Sequence, residues 1–179
     1  MSSQGLAEDV RRVSGLIREV ADFPQAGVLF RDLSPLLADA EGFRVVVDAM
    51  ALHAAEGTDV VVGIESRGFL LGAAVAHKLG LGVVGVRKPG KLPAVAHRVD
   101  YDLEYGTAAL ELPEGTLAPG ARALVVDDVL ATGGTVEAAC ALVEYVGAEV
   151  SVVSVVMELA ALNGRDRLAG RKVRSLLTV

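Results

Sequence analysis

The sequence has a single cysteine, no tryptophan and few aromatic residues, and each scarcity excludes a class of protein. Cys140 alone can form neither an internal disulfide nor a cysteine metal cluster. Aromatic residues make up 4% of the 179 residues and apolar residues 52%, so the expected core is aliphatic. This apolar content is too high for a disordered chain, and the length suits one domain.

Long apolar runs and a leader-like N-terminus are also lacking. No stretch approaches the ~18 apolar residues of a membrane span. The start of the chain lacks the basic residues and apolar segment of a signal peptide. The net charge of −6 argues against nucleic acid as a partner. We therefore expect a cytoplasmic protein with neither a membrane nor a nucleic-acid partner.

Acidic residues are absent from Ser66 to Val99, although the chain as a whole is acidic. A basic segment within an acidic protein can concentrate a small anion. A solvated basic surface is the alternative, and charge alone does not decide between the two. The cations of this stretch are Arg67, Lys78, Arg87, Lys88, Lys91 and Arg98.

Short, continuous apolar runs alternate with helical patterns between residues 41 and 156. Such runs are typical of buried parallel strands. The alternation predicts an α/β fold, doubly wound, with a mainly parallel sheet and helices on both faces, in a single domain over residues 1–179. The pattern predicts helices at 6–20, 41–56, 68–79 and 135–146, strands at 60–64, 83–86, 123–126, 150–156 and 173–177, irregular structure at 22–32, a loop at 89–100 and an antiparallel arm at 101–112.

One predicted strand is followed by Asp127 and Asp128 and then by a turn, Thr132 to Thr135, that opens a helix. The free N–H groups of a helix start, the close approach that glycines allow and the threonine hydroxyls suit a phosphate. The carboxylates suit hydroxyls or a metal. A 5-phosphoribosyl group would satisfy both halves. The alternative is an ordinary strand-to-helix turn with Thr135 as the helix cap.

The segment from Val125 to Thr135 resembles the phosphoribosyl pyrophosphate (PRPP) motif of the type I phosphoribosyltransferases. Further segments resemble the adenine phosphoribosyltransferases in particular: 23–32, 65–69, 87–93 and 103–106. The resemblance implies a type I phosphoribosyltransferase fold with an N-terminal hood at 1–36 and a lid loop with an arm at 87–112. The implied reaction joins N9 of adenine to PRPP and gives AMP and pyrophosphate.

The same resemblance implies roles for residues that hold PRPP. The 5-phosphate would be held by Ala131, Thr132, Gly133, Gly134 and Thr135, and the ribose hydroxyls by Asp127 and Asp128. The pyrophosphate would be bound by Ser66, Arg67, Arg87, Lys88 and Lys91, of which Arg67 and Lys91 are expected to be catalytic.

The resemblance also implies how the base is read. Leu29 and Arg31 would hydrogen-bond adenine through their backbone, and Phe30 would stack on it, although a core aromatic is the other interpretation. Glu104 would act as the catalytic acid or base at N7, and Tyr105 would position the reacting groups. Without the family, Glu104 is an ordinary exposed residue of a hairpin. We expect His97 to be exposed and not catalytic.

The resemblance further implies Mg²⁺ as cofactor, held mainly by PRPP and water rather than by a protein site, and a homodimer. Two other functions stay open. One is the same transfer to another purine, such as hypoxanthine or xanthine. The other is a PRPP-sensing regulator without catalysis, which would need a DNA-binding element that residues 1–22 do not offer.

Overall fold

The computed structural model describes the backbone of residues 3–102 and 107–179 and the side chains of residues 8–101 and 107–179. The chain forms two compact units, Met1–Ala49 and Met50–Val179. In the described part of the chain, every helix is too short or too polar to cross a lipid bilayer.

The first unit contains helices and a two-stranded antiparallel ribbon. The ribbon pairs Val20 with Phe30. A proline in the first turn favours the second helix, because its fixed φ suits a helix start. The elements are α1 (Ser3–Gly15), β1 (Arg18–Ala21), β2 (Leu29–Asp32), α2 (Ser34–Ala38) and α3 (Ala40–Ala51).

The second unit is built on a five-stranded sheet in the order β4-β3-β7-β8-β9, and every pair of neighbouring strands is parallel. A separate antiparallel ribbon joins β5 and β6. The elements are β3 (Val60–Ile64), α4 (Arg67–Leu79), β4 (Gly82–Val86), β5 (Val95–Asp102), β6 (Thr107–Pro113), β7 (Arg122–Leu130), α5 (Gly134–Tyr145), β8 (Glu149–Glu158), the short 3-10 helix Ala160–Leu162, α6 (Gly164–Arg167) and β9 (Val173–Thr178).

Helices cover both faces of this sheet. On one face, α5 and the β5–β6 ribbon bury an aliphatic core that includes Val62, Val125 and Val153. On the other face, α4 lies so close that a Cβ on Gly63 would stand 2.7 Å from the Gly68 carbonyl oxygen. A Cβ on Gly68 would stand 2.8 Å from the Val126 carbonyl oxygen. The doubly wound prediction is confirmed, and these glycines set the distance between α4 and the sheet.

Two predictions for the N-terminal region are wrong. The first helix ends at Gly15 rather than extending to residue 20, and the segment predicted to be irregular contains β2. The spacing of three residues between Ile17 and Val20 fits a helix, whereas in the structure Val20 lies on β1 and pairs with Phe30 of β2. Pairing with β2 makes this segment a strand. The apolar periodicity of β1 or of β2 does not reveal that the other strand is its partner.

Further differences from the prediction concern β5, β7 and the helix predicted for 41–56. β5 begins at Val95, within the predicted loop, because β6 pairs with it from that residue onward. β7 continues beyond Val126 to Leu130, because β8 pairs with it as far as Glu158. Asp127 and Asp128 therefore lie on the strand itself rather than after it. The helix predicted for 41–56 ends at Ala51.

Candidate active site

The strand order places a switch point between β3 and β7. From β3 the chain moves outward to β4, and from β7 it moves in the opposite direction to β8 and β9. The carboxyl ends of two strands that lead in opposite directions leave a crevice, which is the usual ligand site of such sheets. The segment after β3 and the end of β7 are therefore the first places to inspect.

A phosphate-sized pocket follows β7. The loop of residues 131–134 gives α5 an N-cap, Gly133, whose φ of 88° is in the left-handed region. Because this glycine caps the helix, the alternative in which Thr135 is the cap is wrong. The pocket has a water-accessible volume of about 80 Å³ and is lined by Asp127, Val129, Ala131, Thr132, Gly133, Gly134, Thr135 and Val136. The start of a 12-residue helix at such a pocket suits an anion.

Two adjacent carboxylates lie beside this pocket. Asp127 and Asp128 are 8% and 5% exposed. Asp127 accepts a hydrogen bond from the Asp128 N–H at 2.9 Å. Burial, and secondarily the Asp128 charge, raises the pKa of Asp127 well above its usual value. Charge-neutral donors such as hydroxyls would stabilise the ionised form.

Arg67, the first residue of α4, pairs with the second carboxylate. Its Nε lies 2.5 Å from Asp128 Oδ2. The N–H direction does not suit a hydrogen bond, and Asp128 Oδ2 is buried without a hydrogen-bond donor among the described residues. Asp128 therefore retains an acceptor site for a ligand, since buried polar groups are normally hydrogen-bonded.

The residues after β3 and β4 form a second cluster, centred on Glu65. The Glu65 carboxylate forms an ion pair with the Lys91 ammonium and accepts a hydrogen bond from the Lys88 N–H at 3.0 Å. Arg87 Nε lies 3.5 Å from the same carboxylate. Burial would raise the pKa of Glu65, but the hydrogen bonds from Lys91 and Lys88 and the charges of Lys91 and Arg87 outweigh it and lower the pKa. Glu65 thus gathers these cations beside Ser66 and Arg67.

Arg87 is held in this cluster from a second side. Its guanidinium carbon lies 5.6 Å from the centroid of the Phe69 ring. Arg87 Nε is buried and has no hydrogen-bond acceptor in the described part of the chain. A buried donor without an acceptor at the mouth of a crevice suits an anionic ligand.

Comparison with known proteins agrees with this geometry. The family model for the phosphoribosyl transferase domain matches residues 44–175. The chain is 61% identical to an adenine phosphoribosyltransferase of Saccharopolyspora erythraea, over 97% of this chain and 94% of that protein. It is 54% identical to one of Kineococcus radiotolerans, over 99% of each chain.

Solved structures give the same result. A crystal structure of the adenine phosphoribosyltransferase from Thermoanaerobacter pseudethanolicus is 42% identical, with a TM-score of 0.91 over 95% of this chain and 99% of that one. The enzyme from Saccharomyces cerevisiae, in complex with an imino-altritol bisphosphate and adenine, is 37% identical, with a TM-score of 0.90 over 96% and 99% of the two chains.

The chain belongs to the adenine phosphoribosyltransferase family. Within this family assignment, the segment expected to read the base lies on β2. Leu29 is 45% exposed. The Phe30 ring makes an edge contact with Phe23, with ring centroids 5.1 Å apart. Arg31 pairs with Glu19 at 3.4 Å. Phe30 is partly buried, so one side of the ring is packed within its own unit.

Glu104 and Tyr105, the residues of the arm that the adenine phosphoribosyltransferase resemblance singles out, lie outside the described residues. The strand that leads to them is described. The Tyr101 hydroxyl accepts a hydrogen bond from Thr135 at 3.3 Å. The prediction that His97 is exposed is wrong, because its ring is partly buried and stacks on Tyr145 with centroids 3.4 Å apart. The strand β5 is thus attached to α5 at both ends of the helix.

Sequence reasoning missed several residues that lie in or next to the candidate site. Glu65 and Tyr101 lie within segments that were considered, but neither pattern showed what they contact. Glu158 and Arg165 form an ion pair next to Gly164, which approaches the loop of residues 131–134. The available signal was Glu158 directly after the apolar run Val155 to Met157, because an acid in a buried position requires a partner.

Proposed function

We propose that the chain transfers the 5-phosphoribosyl group of PRPP to N9 of adenine and releases AMP and pyrophosphate. One observation supports the proposed position of the substrate. Among the described residues, two buried side-chain polar atoms lack a hydrogen-bond partner, Asp128 Oδ2 and Arg87 Nε. One is an acceptor and the other a donor, and they belong to the carboxylate pair and the cation cluster. PRPP offers both the hydroxyls and the pyrophosphate that would satisfy them.

The proposed arrangement divides PRPP among three groups of residues. The loop Ala131 to Thr135 binds the 5-phosphate through N–H groups and hydroxyls. Asp127 and Asp128 accept hydrogen bonds from the ribose hydroxyls. Ser66, Arg67, Arg87, Lys88 and Lys91 bind the pyrophosphate, with the arginines suited to paired contacts and the lysines acting as point charges.

The reaction breaks the bond between C1 of the ribose and the pyrophosphate oxygen, and its electrons leave with the pyrophosphate. Positive charge develops on the ribose and negative charge on the leaving group. Arg67 and Lys91 stabilise the leaving charge, because they are already fixed by Asp128 and Glu65 before the reaction. Adenine N9 then forms the new bond to C1, and the ring proton of adenine passes from N7 to Glu104.

The base is recognised by β2 in this proposal. The backbone of Leu29 and Arg31 hydrogen-bonds adenine, and the open part of the Phe30 ring stacks on it. Backbone groups distinguish adenine from hypoxanthine because the amino group donates where the carbonyl oxygen accepts. Glu104 exchanges a proton with N7, and Tyr105 orients the reacting groups.

Mg²⁺ accompanies PRPP in the proposed reaction and offsets part of the pyrophosphate charge when bound. The donor set fits a metal carried by the substrate. The described residues contain no cluster of three His, Cys, Asp or Glu side chains that could hold an ion by themselves. Asp127 and Asp128 suit contact with waters of a hydrated Mg²⁺, which sheds its waters reluctantly.

A homodimer and a cytoplasmic location complete the proposal. The dimer is supported by an apolar depression of about 320 Å³ lined by Phe69, Ala73, Val83, Gly85 and Arg87. Val83 is 47% exposed, and the neighbouring Leu70 is 58% exposed. Exposed apolar surface of this kind favours contact with another protein surface.

A pyrophosphate-release assay tests the function. With PRPP and Mg²⁺, we expect adenine to give rapid release, and hypoxanthine and xanthine to react at least about 100-fold more slowly, because a site that hydrogen-bonds one base edge strongly rejects its opposite. Faster pyrophosphate release with hypoxanthine or xanthine would show that one of these bases, and not adenine, is the preferred substrate. Tight PRPP binding without release for any purine would instead indicate a regulator.

Replacing Glu104 with glutamine tests the proton transfer. We expect kcat to fall by about 100-fold or more, because the amide keeps the size of the side chain but cannot exchange the proton. The Kd for PRPP, measured without adenine, should change by less than about threefold. The matched control is Glu114→Gln, an exposed acid after β6, which should leave both values unchanged. An unaltered kcat for Glu104→Gln would remove this residue from the mechanism.

A further inference from the structure

The loop Ala131 to Thr135, which is the phosphate loop of the proposed function, packs against the segment that follows β8. A Cβ placed on Gly133 would stand 2.5 Å from the Gly164 carbonyl oxygen. A Cβ placed on Gly164 would stand 3.1 Å from the Gly133 nitrogen and would also clash with the Ala131 carbonyl oxygen. The two backbones are therefore in direct contact without room for a methyl group. Any shift of Gly164 is transmitted to the loop.

One ion pair, between a half-exposed guanidinium and a buried carboxylate, holds the residue next to Gly164. The neighbouring Arg165 directs Nε at both carboxylate oxygens of Glu158, at 2.7 and 2.8 Å. Glu158 is 6% exposed and ends β8. Its carboxylate also accepts a hydrogen bond from the Ser175 hydroxyl at 3.2 Å. Arg165 additionally donates to the Val173 carbonyl oxygen at 3.1 Å. The pair thus joins α6 to two strands of the sheet.

A second ion pair reaches α5 from the same segment but is weaker. Arg167 Nη1 lies 3.6 Å from Glu137, and both side chains are nearly half exposed, at 47% and 44%. Exposed pairs of this kind contribute about 0–1 kcal/mol. Arg165 is equally exposed, at 46%, but its partner Glu158 is buried, so loss of Arg165 would leave a buried charge uncompensated, which is more costly. Glu158 and Arg165 therefore dominate the position of the segment.

We propose that Glu158 and Arg165 are positioning residues for the 5-phosphate of the substrate, acting through the contact of Gly164 with the phosphate loop. This inference rests on the proposed function, because it assigns the loop to the 5-phosphate. Neither side chain contacts the ligand. The cations around Glu65 follow β3 and β4. Loss of the Glu158–Arg165 pair should therefore weaken binding of the 5-phosphate and leave binding of the pyrophosphate unchanged.

The test separates the two ends of the substrate. Ribose 5-phosphate reports on the loop and pyrophosphate on the cation cluster. In Glu158→Gln we expect the Kd for ribose 5-phosphate to rise by about tenfold, because a displaced loop loses aligned N–H donors. The Kd for pyrophosphate with Mg²⁺ should stay within about twofold. The KM for PRPP should rise by about tenfold with kcat within about threefold.

The matched control is Glu144→Gln. Glu144 pairs with Arg171 at 2.8 Å, in the last turns of α5, away from the phosphate loop. It should leave both dissociation constants unchanged. A second variant, Arg165→Lys, retains the charge but loses the planar guanidinium contacts. It should weaken ribose 5-phosphate binding in the same direction, and it keeps the proposal testable if Glu158→Gln does not fold.

Three results would overturn the proposal. The first is an unchanged Kd for ribose 5-phosphate in a folded variant. The second is an equal weakening of ribose 5-phosphate and pyrophosphate, which would indicate a general structural role. The third is a wild-type protein that binds pyrophosphate but not ribose 5-phosphate, which would overturn the assignment of the loop as well. A wrong assignment of the loop would appear as missing ribose 5-phosphate binding in the wild type, whereas the first two results are observed only in the variants.

Discussion

Replacing Gly133 with alanine is expected to lower PRPP affinity by about 100-fold or more, because the loop amides must move away from the phosphate. The added methyl group would stand 2.5 Å from the Gly164 carbonyl oxygen and 3.2 Å from the Arg167 Cβ. The φ of 88° adds strain for any residue with a side chain. We expect the free energy of unfolding to fall by about 2–4 kcal/mol. Calorimetric titration with PRPP and urea unfolding measure the two effects.

Gly147→Ala is the matched control for this substitution. Gly147 lies just beyond the other end of the same helix and has a similar φ of 79°. A Cβ there would meet Pro119 at 3.4 Å, an ordinary contact. This variant should lose about 1 kcal/mol from φ strain alone and bind PRPP normally. If both variants bound PRPP with wild-type affinity, the Gly133 loop would not hold the phosphate.

Asp127→Asn is expected to raise the melting temperature of the unliganded protein while lowering PRPP affinity. Burial and the Asp128 charge raise the pKa of Asp127. The folded protein then holds this proton more tightly than the unfolded chain, so stability from this group falls as the pH rises above about 4 toward the raised value. At neutral pH the buried carboxyl must either take up a proton or carry an unfavourable charge, and a neutral amide avoids both costs.

Thermal melts at about pH 5 and about pH 8 measure this effect, and the gain should be larger at the higher pH. Relief of about 1 kcal/mol corresponds to about 3 °C in a chain of this size. The Kd for PRPP should rise by about tenfold or more, since a carboxylate is a stronger acceptor for hydroxyls than an amide.

Asp128→Asn separates this effect from a general response to loss of charge. Asp128 forms an ion pair with Arg67, whereas Asp127 accepts a hydrogen bond from the Asp128 N–H. Removing the Asp128 charge leaves Arg67 without its counterion, so this variant should melt lower than the wild type. A lower melting temperature for Asp127→Asn as well would contradict the destabilising role of its buried carboxylate.

The parallel sheet was predictable from sequence because its strands are continuous apolar runs that need no knowledge of their neighbours. Val60–Ile64 is the clearest example. The ribbons were harder. The strand β2 and the first half of β5 have mixed polar and apolar residues, and each becomes a strand only through its antiparallel partner. Tertiary pairing thus decides the structure of segments whose own pattern is neutral.

The chemistry of the candidate site was predictable to the extent that it depends on residue type. Two acids, a glycine loop and a basic stretch are visible in the sequence. Which of these acidic and basic side chains form ion pairs was not predictable. That Glu65 would hold Lys91, or that Glu158 would hold Arg165, depends on which strand ends lie side by side. The approach of Gly164 to Gly133 joins segments about thirty residues apart and depends on backbone geometry that no local pattern encodes.

The Glu65 cluster has a consequence for the ionic-strength dependence of substrate binding. The Glu65 carboxylate offsets one of the two positive charges of Lys91 and Arg87 before any ligand arrives. Binding of pyrophosphate at these cations is then an exchange of one anion for another, with fewer mobile ions released to solvent than the number of cations suggests. The Glu65 carboxylate acts as an internal counter-anion, and the pyrophosphate of the substrate competes with it as well as with anions in solution.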